Sequence, residues 1–294
     1  MSVSSWPLWV DGCLVERDAP AIRADDQGFL LGLAVFDTLL HEEGCLMFVE
    51  EHVARLQRGA RVLGIAAPRW EPFDALRSVA DALDGRDAAL RTTLSRGTPG
   101  RGPSLVVAAR ALEPPPAAGV TVAVSSLTKL ADDPLERIKS TDRLRHVLAR
   151  EEARRAGAWE ALVATADGDV VEGTVSNLFA VVDGALRTAA ESRGCLDGVV
   201  RGRILADLER EPLCDAAGVE VPVIVDRIER ADLARAAEVF LTNSTGGVIP
   251  VTRVAGLAEE LPGPAGVLTQ AVRTRMRAIE RRYREVGNSA GSRC

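Results

Sequence analysis

Lysine is scarce in this sequence and arginine abundant, so Lys139, in the run quoted next, hints at a needed primary amine, with a surface lysine as the plain alternative. Lys139 lies in the run Ile138-Lys139-Ser140-Thr141-Asp142-Arg143-Leu144, and Lys129 is another of the few. An amine can attack a carbonyl carbon and afterwards carry a proton, which a guanidinium does not do. Arg55, in His52-Val53-Ala54-Arg55-Leu56, has a planar fork suited to bidentate contact with a phosphate. Arg58 and Arg61 lie nearby, so an exposed helix flank is the plain alternative for it. Gly198-Val199 opens a helical run, where free backbone N–H groups and the positive dipole end would face an anion. An ordinary capped helix start is the alternative there. Glu172, on its spacing alone, reads as a surface glutamate at a strand end. The cysteines (Cys13, Cys45, Cys195, Cys214, Cys294) include no closely spaced pair. With only His41, His52 and His146 beside them, a structural zinc site has little to work with, and no metal is expected.

The elements that must position these groups are legible in part. Leu8-Trp9-Val10-Asp11-Gly12 reads as a strand into a turn, with Cys13-Leu14-Val15 returning. Val35–Leu40 is strand-like. Residues 49–64 read as a helix, with Val53, Leu56, Ala60 and Leu63 at helical spacing and Gly64 as the stop. Ser104–Ala109 and Val120–Ser125 are strand-like and flank Glu113-Pro114-Pro115-Pro116-Ala117-Ala118-Gly119. A proline triplet ends regular structure, so residues 114–119 are expected to link a small domain (1–113) to a larger one (120–282) carrying Lys139. Residues 283–294 are expected to be a flexible tail. Residues 141–156 read as a helix with Leu144, Val147 and Leu148 on one face. Asp167-Gly168 and Asp183-Gly184, each between apolar runs, predict two hairpins. A helix follows over about 198–208, with Val200, Ile204, Leu205 and Leu208 as its apolar face and Asp197 as a plausible cap. Residues 221–225 and 238–242 read as strands, the first at a sheet edge because of Pro222. Hairpins mixed with helices predict an α+β architecture with largely antiparallel pairing.

Bulk properties narrow the function classes. The chain has 294 residues, 47% hydrophobic and 27% charged, the balance of an ordinary globular protein with room for two domains. A net charge of −6 and a pI near 5.3 argue against a general nucleic-acid binder. No apolar run reaches the roughly 18 residues of a membrane helix, and the start of the chain is polar. A reducing cytoplasm with free thiols is the expected setting. No GxGxxG opens a helix after a strand, so a nicotinamide enzyme is disfavoured.

Several motifs in a fixed order go further. Asp26–Gly32, Val35-Phe36-Asp37-Thr38 and the Arg55 helix are followed by the Lys139 segment and Val147-Leu148-Ala149-Arg150-Glu151-Glu152-Ala153. Then come Gly157-Ala158-Trp159-Glu160-Ala161, Glu172-Gly173-Thr174-Val175-Ser176-Asn177, Leu196-Asp197-Gly198-Val199-Val200-Arg201, Glu238–Ser244 and Ile249-Pro250-Val251. From about residue 8 to residue 255 the chain resembles the class IV aminotransferase family, which includes branched-chain and D-amino-acid aminotransferases and aminodeoxychorismate lyase. The resemblance implies a two-domain pyridoxal-phosphate fold of type IV with the cofactor between the domains, a homodimer, and a small amino compound as substrate. It implies that Lys139 forms the Schiff base with pyridoxal 5'-phosphate and that Glu172 partners the pyridine nitrogen. It further implies that Arg55, Gly198, Val199 and Val200 hold the phosphate. Val200 stands where threonine is common, and Ser244 and Thr245, after the strand ending at Asn243, are expected to restore hydroxyls, with Asn243 counted among the cofactor-binding residues. Thr38 is placed near the reacting carbon by family position.

The resemblance leaves the reaction open. Three stretches look like the lyase: Leu94-Ser95-Arg96-Gly97-Thr98-Pro99-Gly100-Arg101-Gly102, Arg143-Leu144 four and five residues after Lys139, and Thr242-Asn243-Ser244. Branched-chain aminotransferases commonly carry a tyrosine five residues after the lysine. Leu31 replaces a common tyrosine, Leu33-Ala34 a common Asp-Gly, and Tyr283 is the single tyrosine. A lyase that eliminates pyruvate to give 4-aminobenzoate is the favoured reading. A branched-chain or D-amino-acid transaminase is the alternative, and a non-catalytic relative that binds an anion or a partner is the rival from another class.

Overall fold

Tight turns and long hairpins lay down the first sheet. In the computed structural model, which describes residues 6–19, 21–215 and 217–290, β1 (Leu8–Val10) and β2 (Cys13–Val15) join through Asp11-Gly12, both at positive φ. With β3 (Ala34–Glu42), β4 (Cys45–Leu46), β5 (Ala88–Thr98) and β6 (Gly102–Arg110) they make an antiparallel sheet ordered β2-β1-β6-β5-β3-β4. Between β2 and β3, Asp26 caps α1 (Gln27–Leu31) by accepting from the N–H groups of Gly28 and Phe29. Gly32 ends that helix at φ 69°, a left-handed conformation that glycine adopts without strain. Helices α2 (Val49–Val62) and α3 (Pro72–Asp81) supply Leu56, Ala60, Leu76 and Val79 to a core shared with Val35, Leu39, Leu90 and Leu105 of the sheet. Each such leucine contributes about 1.5–3 kcal/mol by leaving water.

The second sheet comprises β7 (Val120–Val124), β8 (Glu160–Ala164), β9 (Val170–Gly173), β10 (Asn177–Val182), β11 (Ala185–Ala189), β12 (Val223–Asp226), β13 (Glu238–Asn243) and β14 (Gly247–Val254). Its order is β12-β11-β10-β13-β14-β7-β8-β9, and β9 meets β10 again at Glu172–Asn177, so part of the sheet closes into a ring. The β8–β9 and β10–β11 hairpins turn at Asp-Gly pairs as expected, with Asp183 and Gly184 both at positive φ. Pairing is parallel at β11–β12, β14–β7 and β7–β8 and antiparallel elsewhere. β12 lies at the edge, as Pro222 requires. The same stretch of chain also holds α4 (Leu144–Arg155), α5 (Val199–Arg210) and α6 (Arg230–Ala234), and α7 (Val267–Ala290) follows the last strand.

The chain divides into two units whose boundaries depart from a simple cut. The first holds the chain up to Glu113, Ile138–Asp142 and the chain from Glu280; the second holds Pro114–Arg137 and Arg143–Ile279. The Lys139 segment therefore belongs with the first unit, not the larger domain expected to carry it. The reason is backbone pairing: Phe36 N donates to the Lys139 carbonyl at 2.9 Å, and Thr141 N donates to Ala34 O at 2.9 Å. The expected flexible tail is also corrected, because α7 runs to Ala290 and Tyr283 is buried. The Tyr283 hydroxyl donates to Glu50 Oε2 at 2.6 Å and accepts from Val49 N at 3.2 Å. Residues 291–294, Cys294 among them, lie outside the described residues.

The face expected for α4 is reversed. Leu144, Val147 and Leu148 are exposed, while His146, Ala149 and Ala153 face inward, the two alanines packing with Ala161 and Val163. On α5, Leu205 is half-buried, and Arg201 and Asp207 join Val200, Ile204 and Leu208 on the buried side. Cys13, Cys195 and Cys214 are free thiols, whereas Cys45 is disulfide-bonded, against the free-thiol expectation. Among the described residues, no helix is long and apolar enough to cross a membrane.

Candidate active site

Glu172 lies next to last in β9 with 6% of its surface exposed, so it is not the surface glutamate its spacing suggests. Its Oε1 accepts from Lys129 Nζ at 2.7 Å. Its Oε2 accepts from Leu196 N at 2.9 Å and from Asn177 Nδ2 at 3.5 Å. A carboxylate offers about four lone-pair positions. Three donors are in place, which leaves room for one more N–H. The closing pair β9–β10 sets Glu172 opposite Asn177, and β10–β13 sets Asn177 opposite Thr242. These three side chains thus form one row across the sheet.

Asn177 is also the link to α5. Its Nδ2 donates to Leu196 O at 2.9 Å and to Cys195 Sγ at 3.2 Å. Burial, helped by the Glu172 charge, pushes the Cys195 thiol up to about 12, so it stays protonated at neutral pH. The N-cap of α5 is Gly198, not Asp197, and among the described residues no side chain caps the helix. Its first N–H groups have no acceptor within the helix, and the dipole places partial positive charge at Val199 and Val200. A Cβ on Gly198 would sit 1.8 Å from Asn177 Oδ1, so this position admits glycine alone without moving Asn177. Gly198→Ala is expected to displace Asn177 and lower stability by about 1–3 kcal/mol. Thermal melting of the two proteins checks this; equal melting temperatures would contradict the close approach.

The hydroxyls of the Glu172-Gly173-Thr174-Val175-Ser176-Asn177 frame serve structure. Thr174 and Ser176 both donate to Glu160, which is fully buried on β8. Burial raises the Glu160 carboxyl above its usual range, against the opposing Thr174 hydrogen bond. The Arg143 guanidinium donates to the Thr174 carbonyl, bracing the same turn. After β13, Asn243 Oδ1 accepts from Thr245 N at 3.2 Å and Gly246 N at 2.7 Å, so Asn243 shapes the turn. The Thr245 hydroxyl points back to Asn243 Oδ1 at 3.4 Å, and Ser244 is half-buried beside it. Thr242 Oγ1 is buried without a protein partner among the described residues.

In the first unit, alternation along β3 separates two sets of groups. Asp37 faces α2 and is gripped there by Arg55, with Nε to Oδ2 at 2.8 Å and Nη2 to Oδ1 at 2.7 Å. His52 Nδ1 lies 2.8 Å from Asp37 Oδ1. Burial works to raise the Asp37 carboxyl, but Arg55 and His52 outweigh it and hold it well below the usual carboxylate range. Burial likewise lowers His52, with Asp37 opposing, so the ring is neutral at pH 7 and donates through Nδ1. On the other face, Arg91 Cζ lies 3.6 Å and Lys139 Nζ 4.9 Å from the Phe36 ring centre. Thr38, half-buried, pairs in register with Arg91.

The Asp37 geometry carries a pH signature. A depressed carboxyl contributes stability above the unfolded value of about 3.9 and loses it as pH falls toward the folded value. A depressed histidine adds a loss that begins below about 6.5, where the unfolded state takes up its proton first. Asp37→Asn is expected to cost about 3–5 kcal/mol at pH 7, since it removes the negative charge of a buried ion pair that Arg55 and His52 both hold. Denaturant unfolding from pH 7 to pH 3 should show a flatter acid slope in the variant; an unchanged slope would sink the assignment.

Glu172, Gly198, Val199, Val200, Asn243, Ser244 and Thr245 lie in the second unit, and Thr38, Arg55 and Lys139 in the first. Four contributors escaped sequence reasoning: Lys129, Asp37, His52 and Asn177. All except Lys129 stand inside quoted motifs, so motif membership was the available signal.

The profile described as amino-transferase class IV matches residues 34–254. The D-alanine aminotransferase of Bacillus licheniformis is 31% identical over 278 residues, covering 90% of this chain and 93% of that protein. The aminodeoxychorismate lyase of Bacillus subtilis is 28% identical over 261 residues, covering 84% and 86%. The branched-chain aminotransferase of Thermoproteus uzoniensis, solved with norvaline, superposes with a TM-score of 0.81 at 24% identity, covering 93% of this chain and 94% of that one.

Proposed function

The chain belongs to the class IV aminotransferase family of pyridoxal-phosphate-dependent enzymes, and on that premise we propose that it is an aminodeoxychorismate lyase-like enzyme, eliminating pyruvate to leave 4-aminobenzoate. The observation that carries the lyase reading is the treatment of tyrosine. Leu144 stands five residues after Lys139, and the hydroxyl of the single tyrosine, Tyr283, is engaged by Glu50 and Val49 N. The arginine-glycine pairs at Arg96-Gly97 and Arg101-Gly102 and the Thr242-Asn243-Ser244 segment agree with it.

The donor set suits the cofactor. Glu172 keeps an acceptor position for the pyridine N–H, and the α5 start offers backbone N–H groups to the phosphate without a competing side-chain cap. When bound, pyridoxal phosphate supplies an electron sink for the substrate carbon that loses its proton. Lys139 contributes the amine that attaches covalently and moves the proton at that carbon. Val199, Val200, Asn243, Ser244 and Thr245 anchor the phosphate in this reading, together with Arg55, whose Nε and Nη2 are held by Asp37, and Thr38 lines the side where substrate reacts. The exposed Phe29, Leu30 and Leu31 of α1 favour a homodimer, in which a second copy covers them.

The test is direct. Purified protein loaded with cofactor is given aminodeoxychorismate, and 4-aminobenzoate and pyruvate are followed without any keto acid. Both products forming supports the lyase. Their absence, with amino transfer from D-alanine or a branched-chain amino acid to a keto acid, would replace it with the transaminase reading that the Bacillus licheniformis relative favours.

A further inference from the structure

Among 36 basic residues only Lys129 and Lys139 are lysines. Lys129 is fully enclosed, with none of its side-chain surface exposed. Lysine usually runs its stem along the surface and keeps its ammonium in water. Here the backbone is pinned beside the end of β8, with Lys129 N donating to Ala164 O and Ala166 N donating to Lys129 O. The stem passes under Gly194, where an added Cβ would lie 3.2 Å from Lys129 Cε. The ammonium meets Glu172 Oε1 at 2.7 Å and Glu136 Oε2 at 3.6 Å.

Stability is a poor reason for such a pair, because apolar replacement of a buried ion pair is often neutral or stabilising. What the arrangement does is directional. Lys129 holds one oxygen of Glu172 while Leu196 N and Asn177 hold the other, so the carboxylate plane cannot turn. Lys129 also stands between two carboxylates, Glu172 and Glu136. The other charged groups facing this cluster are Arg143, whose charge is felt by Glu172, Glu136 and Glu160, and Arg145, which pairs with Glu136. Arg143 is directed to the Thr174 carbonyl rather than to Glu172.

We propose that Lys129 is a positioning residue that fixes the direction of the Glu172 carboxylate and acts through it on the ring of the bound cofactor. The inference rests on the reading of Glu172 as the partner of the ring nitrogen.

Lys129→Met, Lys129→Arg and Glu172→Gln are compared with the wild type by pyridoxal phosphate titration and by the visible absorption band from pH 5 to pH 9. Lys129→Met is expected to weaken cofactor binding about 10–100-fold, the scale of losing a partner that orients a directly binding group. Its band should shift with pH toward that of Glu172→Gln, and Lys129→Arg should restore both properties. Lys129→Met behaving as wild type while Glu172→Gln is altered would overturn the role of Lys129. Glu172→Gln leaving band and affinity unchanged would overturn the glutamate reading itself, and the inference with it. Should Lys129→Met fail to fold, the double variant Lys129→Met/Glu172→Gln removes both charges. It is expected to melt near wild type, with the cofactor affinity of Glu172→Gln alone. An affinity lower still by the same 10–100-fold would contradict the inference.

Discussion

Lys139→Ala should leave a folded protein with turnover lowered by about four to six orders of magnitude, the scale of removing the nucleophile from a covalent mechanism. The lysine side chain is half-buried beside Phe36, and its segment is held by backbone bonds that survive the substitution. Melting should therefore move little. No second lysine can take over, because the Lys129 amine is enclosed and bound to Glu172. Turnover measured at saturating cofactor, with circular dichroism as the control for folding, separates the outcomes. Retained turnover would mean that the covalent amine lies elsewhere.

Glu172→Gln is the second large effect. The amide keeps the volume but removes the charge that, in the proposed reading, holds a proton on the ring nitrogen. At saturating cofactor the variant should still bind it, yet the proton-removal step should slow by orders of magnitude. There is also a structural cost. Removing one partner of a buried pair is worth about 3–5 kcal/mol, and Glu136 at 3.6 Å from Lys129 should reduce it. Rapid-mixing kinetics report the chemical step, and denaturant unfolding reports the stability. An unchanged turnover number would count against the pyridinium role even if stability fell.

The parts of the fold written in local chemistry were legible. Asp-Gly pairs demand positive φ, so the hairpins at Asp167-Gly168 and Asp183-Gly184 could be placed, and Pro222 marked an edge strand. The α4 face was misread because its buried side uses Ala149 and Ala153, which carry almost no hydrophobic signal, while Leu144, Val147 and Leu148 face outward. The allegiance of the Lys139 segment depends on Ser140 pairing with Val35, far away in the chain, and no local pattern encodes that. Among the candidate site residues, Lys139, Glu172 and Gly198 could be singled out because motifs frame them. Lys129 could not, since it lies outside every motif and its partner, Glu172, is 43 positions along the chain. Asp197 looked like a cap by residue type, but the close approach of Asn177 puts glycine in that position.

The most direct test of the account is to reduce the cofactor-loaded protein with borohydride and map the labelled peptide. Only two lysines exist, so the answer is binary at the level of side chains. The expected result is a pyridoxyl group on Lys139 with Lys129 unmodified. A label on Lys129, or no label on either, would contradict the assignment of Lys139 as the residue that holds the cofactor.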